Sequence, residues 1–210
     1  MIPLFYPYIP KEKILAQISD SLDGRWLGQG PKVNKFEQRF GEVFGYKYPL
    51  MLNSGTSALE LAYHMIGLKE GDEVIVPSFT FAASANSIAL CGAKPVFIDI
   101  DRKTFNLDYK LLESLITPKT KAIFIESIAN PGGVIFDIAA IAAVAKKAGI
   151  PLIVDNTLAS PYLIRPFEHG ANIVVHSLTK FLGGHGTSIG GMIIDSGNFV
   201  FSQSIASTTT

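Results

Sequence analysis

Seven short apolar runs, set between stretches of helical period, dictate what this chain can fold into. They are Leu50–Asn53, Val74–Pro77, Pro95–Asp99, Ala122–Glu126, Leu152–Asp155, Ile173–His176 and Gly191–Asp195. Most are apolar on both faces, the pattern of central parallel strands covered on each side. Between them the periodicity predicts helices over Ser57–Gly67, Ala82–Cys91, Asp108–Leu115 and Ile138–Ala148. Asp108 and Asp137 stand where N-caps belong, and Gly149-Ile150-Pro151 stops the last helix. Strand–helix alternation means a parallel sheet with right-handed crossovers, so the expected fold is a three-layer α/β/α sandwich around a mostly parallel seven-stranded sheet. Two helices precede it. Lys11–Ser21 is amphipathic, and Val33–Phe44 carries Phe36, Phe40 and Phe44 at i, i+4 and i+8, a packing face.

Composition narrows the function classes. Of the 210 residues 48% are hydrophobic and 17% charged, enough apolar material for a sizeable core. The 18 basic and 18 acidic residues cancel, and no basic patch interleaved with aromatics suggests a nucleic-acid partner. No apolar run approaches the roughly 20 residues of a membrane span. Met1–Pro10 is apolar but holds three prolines and no leading positive charge, so it does not read as a signal peptide. Cys91 is the single cysteine, which excludes an intramolecular disulfide and fits a reducing, cytoplasmic compartment. Phe199–Thr210 has no period and ends in a polar run, which reads as an irregular tail.

The chemistry gathers at strand ends. Ser177-Leu178-Thr179-Lys180 directly follows the run Ile173–His176, so Lys180 leaves the carboxyl end of a strand, where open α/β sheets bind ligands. The hydroxyls of Ser177 and Thr179, with backbone N–H groups, can hold a phosphate. The glycines from Gly183 to Gly191 let backbone approach a ligand closely. Asp155 closes the run Leu152–Asp155. A carboxylate there is costly unless it meets a cation or several donors. A protonated pyridine nitrogen is such a cation, and the pair Asp155 and Lys180 therefore fits pyridoxal phosphate held as a Schiff base on Lys180.

Three further turns join them. Asn53-Ser54-Gly55-Thr56-Ser57-Ala58 leads from strand into helix, an anion site in which Gly55, Thr56 and Ser57 are the candidate phosphate contacts. In Pro77-Ser78-Phe79-Thr80-Phe81, Phe81 is placed to stack on the cofactor ring or to fill core. Asn130, before Pro131, is placed to bond the phenolic oxygen of the cofactor or a substrate carboxylate, or simply to make a turn. His169, His176 and His185 form no metal pattern, and no metal is expected. His176 either faces the site or is a satisfied core histidine. Arg165 either binds a carboxylate or covers the surface.

These motifs resemble the large domain of fold-type-I pyridoxal-phosphate transferases. Residues from about Leu27 to Thr117, through Gly28–Glu37, Asn53–Leu59 and Pro77–Ala83, resemble the DegT/DnrJ/EryC1/StrS sugar aminotransferases. Residues from about Ile123 to Phe199, through Glu126–Pro131, Val154–Thr157, Pro161–Pro166 and His176–His185, resemble the Cys/Met-metabolism family, O-acetylhomoserine sulfhydrylases above all. The resemblance implies Lys180 as the Schiff-base residue, Asp155 at the pyridine nitrogen, Ser177 and Thr179 with the Gly55–Ser57 turn at the phosphate, and Phe81 on the ring. It divides the chain into an N-terminal helical segment over 1–26, a cofactor-binding domain over 27–198 with a mosaic junction near 117–123, and a tail over 199–210. Neither half continues as its own family would, and the small C-terminal domain, which in the sulfhydrylases brings an arginine to the substrate carboxylate, is expected to be missing. Three functions follow as expectations. The first is γ-replacement on an O-acylated homoserine, the second is amino transfer to a keto sugar, and the third is an incomplete cofactor-binding fragment. A small-molecule substrate and a homodimer, with Leu27–Phe44 at its interface, are implied as well.

Overall fold

A computed structural model of the chain describes residues 8–102 and 107–200. All seven predicted strands are present: β1 (Tyr48–Leu52), β2 (Glu73–Pro77), β3 (Lys94–Ile98), β4 (Thr120–Glu126), β5 (Leu152–Asp155), β6 (Ile173–Ser177) and β7 (Gly191–Asp195). They form one sheet in the order β1-β7-β6-β5-β4-β2-β3. The five strands β2 to β6 pair in parallel, and β7 runs antiparallel to both β6 and β1. Mostly parallel is therefore correct. β6 and β7 are joined by a loop over 178–190 with no helix in it, whereas parallel neighbours are usually joined by a helical crossover.

Helices cover both faces. They are α1 (Lys11–Asp23), α2 (Pro31–Phe44), α3 (Gly55–Met65), α4 (Ala82–Leu90), α5 (Tyr109–Leu115), α6 (Ile138–Ala148) and the single turn α7 (Ser160–Leu163), followed by a 3-10 turn over Pro166–His169. One face packs Val74, Val76, Phe124, Ile153, Val175 and Ile193 against Ala58, Ala62 and Tyr63 of α3 and Ile88 of α4. The other packs Ile75, Ile125, Val154, Val174 and Ile194 against Phe40 of α2, Leu112 of α5 and Ile141 and Ala145 of α6. Alternate residues of each strand enter opposite cores, as the period of two requires.

Several local features differ from the sequence reading. α3 starts at Gly55, two residues before Ser57, because the Ser54 hydroxyl caps it by accepting the Ser57 N–H at 3.1 Å. α6 begins and ends as expected, with Asp137 accepting the Ala140 N–H and Gly149 left-handed at φ 70°. α7 and the 3-10 turn were not foreseen: each is four residues long, too short to show a period, and each opens on proline near its first position. α1 is helical but buries none of its residues, leaving Ile14, Leu15, Ile18 and Leu22 exposed. Of the Phe36, Phe40, Phe44 face only Phe40 is buried, with its ring tilted against those of Phe44 and Phe36 at centroid distances of 4.8 and 6.0 Å. Residues 201–210 of the expected tail lie outside the described residues.

Candidate active site

The carboxyl ends of β2, β4, β5 and β6, with the N-terminus of α3, surround a cavity of about 330 Å³, at the lower end of the range of roughly 300–1,000 Å³ for small-molecule sites. Ser54, Gly55, Thr56, Phe81, Glu126, Asn130, Asp155, Thr157, Ser177, Thr179 and Lys180 all line it. Of the nine residues singled out in the sequence, eight therefore meet in one place. Ser57 is the ninth and does not line the cavity: its N–H and hydroxyl both bond the Ser54 hydroxyl.

The phosphate-type turn is set by close packing. Gly55 and Thr56 at the start of α3 line the cavity, and a helix start leaves its first N–H groups without intrahelical partners. It reaches that position because Gly55 has no side chain. A Cβ there would sit 2.9 Å from the Ser177 Cβ. On the far side Gly191 of β7 lies directly under the Ser54 carbonyl, which any Cβ would overlap. The Thr179 hydroxyl exchanges hydrogen bonds with the backbone of Gly190, at 3.2 and 3.3 Å, and so pins the Lys180 turn to the start of β7. Lys180 itself is exposed, in the turn that leaves β6.

Two carboxylates form the floor. Asp155 accepts the Thr157 N–H at 2.9 Å, and the Thr157 hydroxyl accepts the Ser177 N–H at 2.7 Å, so Thr157 joins the ends of β5 and β6. Glu126 is the register neighbour of Asp155 across β4 and β5. It is 6% exposed. Its Oε1 accepts the Thr80 hydroxyl at 3.0 Å and the Phe81 N–H at 3.5 Å, and its Oε2 accepts the Asn130 N–H. Burial is the largest influence on Glu126 and pushes its carboxyl up to about 7; the Asp155 charge adds to this, while the three hydrogen bonds oppose it. Burial likewise raises the Asp155 carboxyl, against the hydrogen bonds from Thr157.

Phe81 is 58% exposed, so its ring is presented to the cavity rather than spent in the core. Asn130 is exposed too and precedes a cis peptide bond to Pro131. His176 does neither of the things expected of it. It is fully buried on the opposite face, beside Phe40 at 6.2 Å, and both ring nitrogens lack a hydrogen-bond partner among the described residues. Arg165 pairs with Glu168 at 3.6 Å and lies outside the cavity lining. Among the described residues no cluster of metal-binding side chains occurs, and no helix is long and apolar enough to cross a membrane.

The donor set suits pyridoxal phosphate. A desolvated carboxylate with one oxygen bonded by Thr157 favours a cationic ring nitrogen. A helix start packed onto a strand end suits a phosphate. A primary amine opens into the same space. Ser54, Glu126 and Thr157 escaped attention in the sequence, although Glu126 closes its apolar strand just as Asp155 does.

The chain is similar to enzymes that use pyridoxal phosphate. The sequence matches the model of the DegT/DnrJ/EryC1/StrS aminotransferase family over residues 9–162, a range that runs through 117–123. It is 42% identical over 173 residues to an O-acetyl-L-homoserine sulfhydrylase of Leptospira meyeri, covering 80% of this chain and 38% of that protein. It is 46% identical over 145 residues to a UDP-2-acetamido-2-deoxy-3-oxo-D-glucuronate aminotransferase of Pseudomonas aeruginosa, covering 69% of this chain and 40% of that protein. The fold is similar to a solved structure of a putative O-acetylhomoserine (thiol)-lyase from Campylobacter jejuni, with TM-score 0.69 and 32% identity, over 92% of this chain and 49% of that one. That structure carries N'-pyridoxyl-lysine-5'-monophosphate. The chain spans about two fifths of the length of these curated relatives.

Proposed function

The chain belongs to the DegT/DnrJ/EryC1/StrS aminotransferase family of pyridoxal-phosphate enzymes, and from that premise we propose that it is a pyridoxal-phosphate transferase whose lysine is Lys180. The observation that carries this reading is that Lys180, Asp155 and the start of α3 open into one cavity. In this reading Gly55 and Thr56 N–H groups and the Ser177 hydroxyl take the phosphate. Ser57 and Thr179 hold those turns in place. Asp155 faces the pyridine nitrogen, Phe81 covers the ring and Asn130 bonds the phenolic oxygen. Pyridoxal phosphate, when bound, withdraws electrons from the α-carbon of the substrate amine. Lys180 Nζ would hold the cofactor and would carry protons to and from the substrate α-carbon as a general base.

The reaction proposed is γ-replacement, in which a sulfur nucleophile displaces acetate from O-acetylhomoserine. Similarity to the Leptospira meyeri sulfhydrylase over four fifths of the chain supports it. Amino transfer to a nucleotide keto sugar is the second reading, favoured by the family match over 9–162 and by the 46% identity to the Pseudomonas aeruginosa enzyme.

One experiment addresses both levels. Protein loaded with pyridoxal phosphate is reduced with borohydride, digested and mapped by mass spectrometry, and the phosphopyridoxyl label is expected on Lys180. A label on another lysine, such as Lys146 or Lys147, or on none, overturns the site. Turnover of O-acetylhomoserine with sulfide supports γ-replacement, and glutamate-dependent amination of a nucleotide keto sugar overturns it in favour of the second reading.

A further inference from the structure

Glu126 is the buried carboxylate in the cavity that the reading above leaves without a task. Its three hydrogen bonds go to protein groups, and those groups lie on two different connections. Thr80 and Phe81 belong to the β2–α4 connection, and Asn130 belongs to the β4–α6 connection. The two segments otherwise touch where the Phe79 ring lies 3.1 Å from the position a Cβ would take on Gly132. Phe81 and Asn130 both offer exposed side chains to the cavity. Exposed side chains on loops are poorly fixed by their own packing, so their placement depends on how the backbone beneath them is held. Each segment has backbone hydrogen bonds of its own, among them Ser78 N–H to Ile98 and Ala129 N–H to Val134, and Glu126 is the side chain rooted in the sheet that bonds both segments. Phe81 also caps α4 without a side-chain hydrogen bond of its own, and the Thr80 hydroxyl extends the network to Ser84 at 3.3 Å.

We propose that Glu126 is a positioning residue that braces the Phe81 and Asn130 segments against each other and so sets the spacing between the ring-facing aromatic and the asparagine. The proposal rests on the site reading for its purpose but not for its test. Neither oxygen contacts the cofactor in this scheme; both act through the backbone. Geometry makes the carboxylate hard to replace. Glutamine has the same shape but only one acceptor oxygen, and Glu126 serves N–H donors with both of its oxygens. In Glu126→Gln one backbone N–H must face an NH2 group. Thr80→Val removes one arm alone.

The measurement is amide hydrogen exchange on cofactor-free protein, read over segments 78–84 and 127–134. Glu126→Gln is expected to exchange at least about tenfold faster in both segments, with strands β5 and β6 unchanged. Thr80→Val is expected to speed exchange in 78–84 and leave 127–134 at the wild-type rate. With pyridoxal phosphate added, Glu126→Gln should still take the borohydride label on Lys180, with a weaker near-visible circular dichroism band from the less firmly held ring. Unchanged exchange in both segments of Glu126→Gln overturns the brace, and so does Thr80→Val loosening both segments equally. Should Glu126→Gln fail to fold, the Thr80→Val pattern alone decides. Failure of wild-type protein to take the label would overturn the cofactor reading, a different result from unchanged exchange in the cofactor-free protein.

Discussion

Glu126 and Asp155 stand side by side at the carboxyl ends of β4 and β5, register partners on the same face of the sheet. Each carboxyl is raised chiefly by burial, and in Glu126 the Asp155 charge adds to the effect. Two neighbouring carboxylates in a desolvated floor are a cost to the fold that a cationic ring nitrogen offsets.

Asp155→Asn separates the two sides of that balance. The amide keeps the shape and can still accept the Thr157 N–H through its oxygen. A carboxyl whose pKa is raised on folding destabilises once it is ionised, so wild-type stability falls as pH rises from the ordinary carboxylate range through the raised folded value. Cofactor-free Asp155→Asn is therefore expected to be more stable than wild type at pH 8, with a shallower fall in between. Its affinity for pyridoxal phosphate should drop about 100-fold, from loss of a buried pair worth roughly 3 kcal/mol. Denaturation curves and cofactor titration check the two halves. A variant that is less stable and binds normally would show that Asp155 serves the fold rather than the ligand.

Gly55→Ala sets two effects against each other at the start of α3. Alanine favours helix over glycine by up to about 1 kcal/mol. The new methyl meets Ser177 Cβ at 2.9 Å and Cα at 3.1 Å, and overpacking of that kind costs about 1–3 kcal/mol. The clash falls where the turn must sit against β6, so cofactor affinity is expected to weaken about tenfold or more while the melting temperature changes little. In a Ser177→Gly background the same substitution should cost less, because the nearest atom is gone. Equal losses in both backgrounds would remove the close approach as the cause.

The strands, and the pair Asp155 and Lys180, were legible because each rests on a local signal: an apolar run, and a charge that such a run cannot tolerate unpaired. Glu126 carries the same signal as Asp155 at the end of Thr120–Glu126, an acidic side chain closing an apolar strand. The position of His176 was also available. Adjacent residues of a strand point to opposite faces, so a Ser177 in the site excludes His176 from it. The start of α3 depended on which serine capped it, a choice that only the Ser54 to Ser57 geometry makes. The exposed apolar face of α1 was not legible at all, since amphipathicity states that a helix has a face to bury and not where.

His176 offers a test on the opposite face from the active site. Neither nitrogen meets hydrogen-bond geometry with a partner among the described residues, and burial pushes its pKa down from the usual 6.5 to about 3, opposed by the Asn156 backbone nearby. The sign follows directly. Unfolded chains bind a proton on this residue below pH 6.5 and the folded protein does not until about pH 3, so stability is lost as pH falls through that window. Between pH 7.5 and 5.5 the loss amounts to about 1.4 kcal/mol. Glu126 works the other way over the same range, because its carboxyl, raised to about 7, gains stability as it protonates, and the raised Asp155 carboxyl acts in the same sense, so the wild-type curve alone does not isolate the histidine. Comparison with His176→Phe isolates the histidine. Phenylalanine keeps an aromatic ring against Phe40 and removes two unsatisfied polar atoms, which is neutral or stabilising at pH 7.5. The stability difference between His176→Phe and wild type, from urea denaturation, is expected to grow by about 1.4 kcal/mol in favour of the variant on going from pH 7.5 to 5.5. An identical difference at the two pH values would mean that the imidazole titrates normally and is not held neutral by its burial.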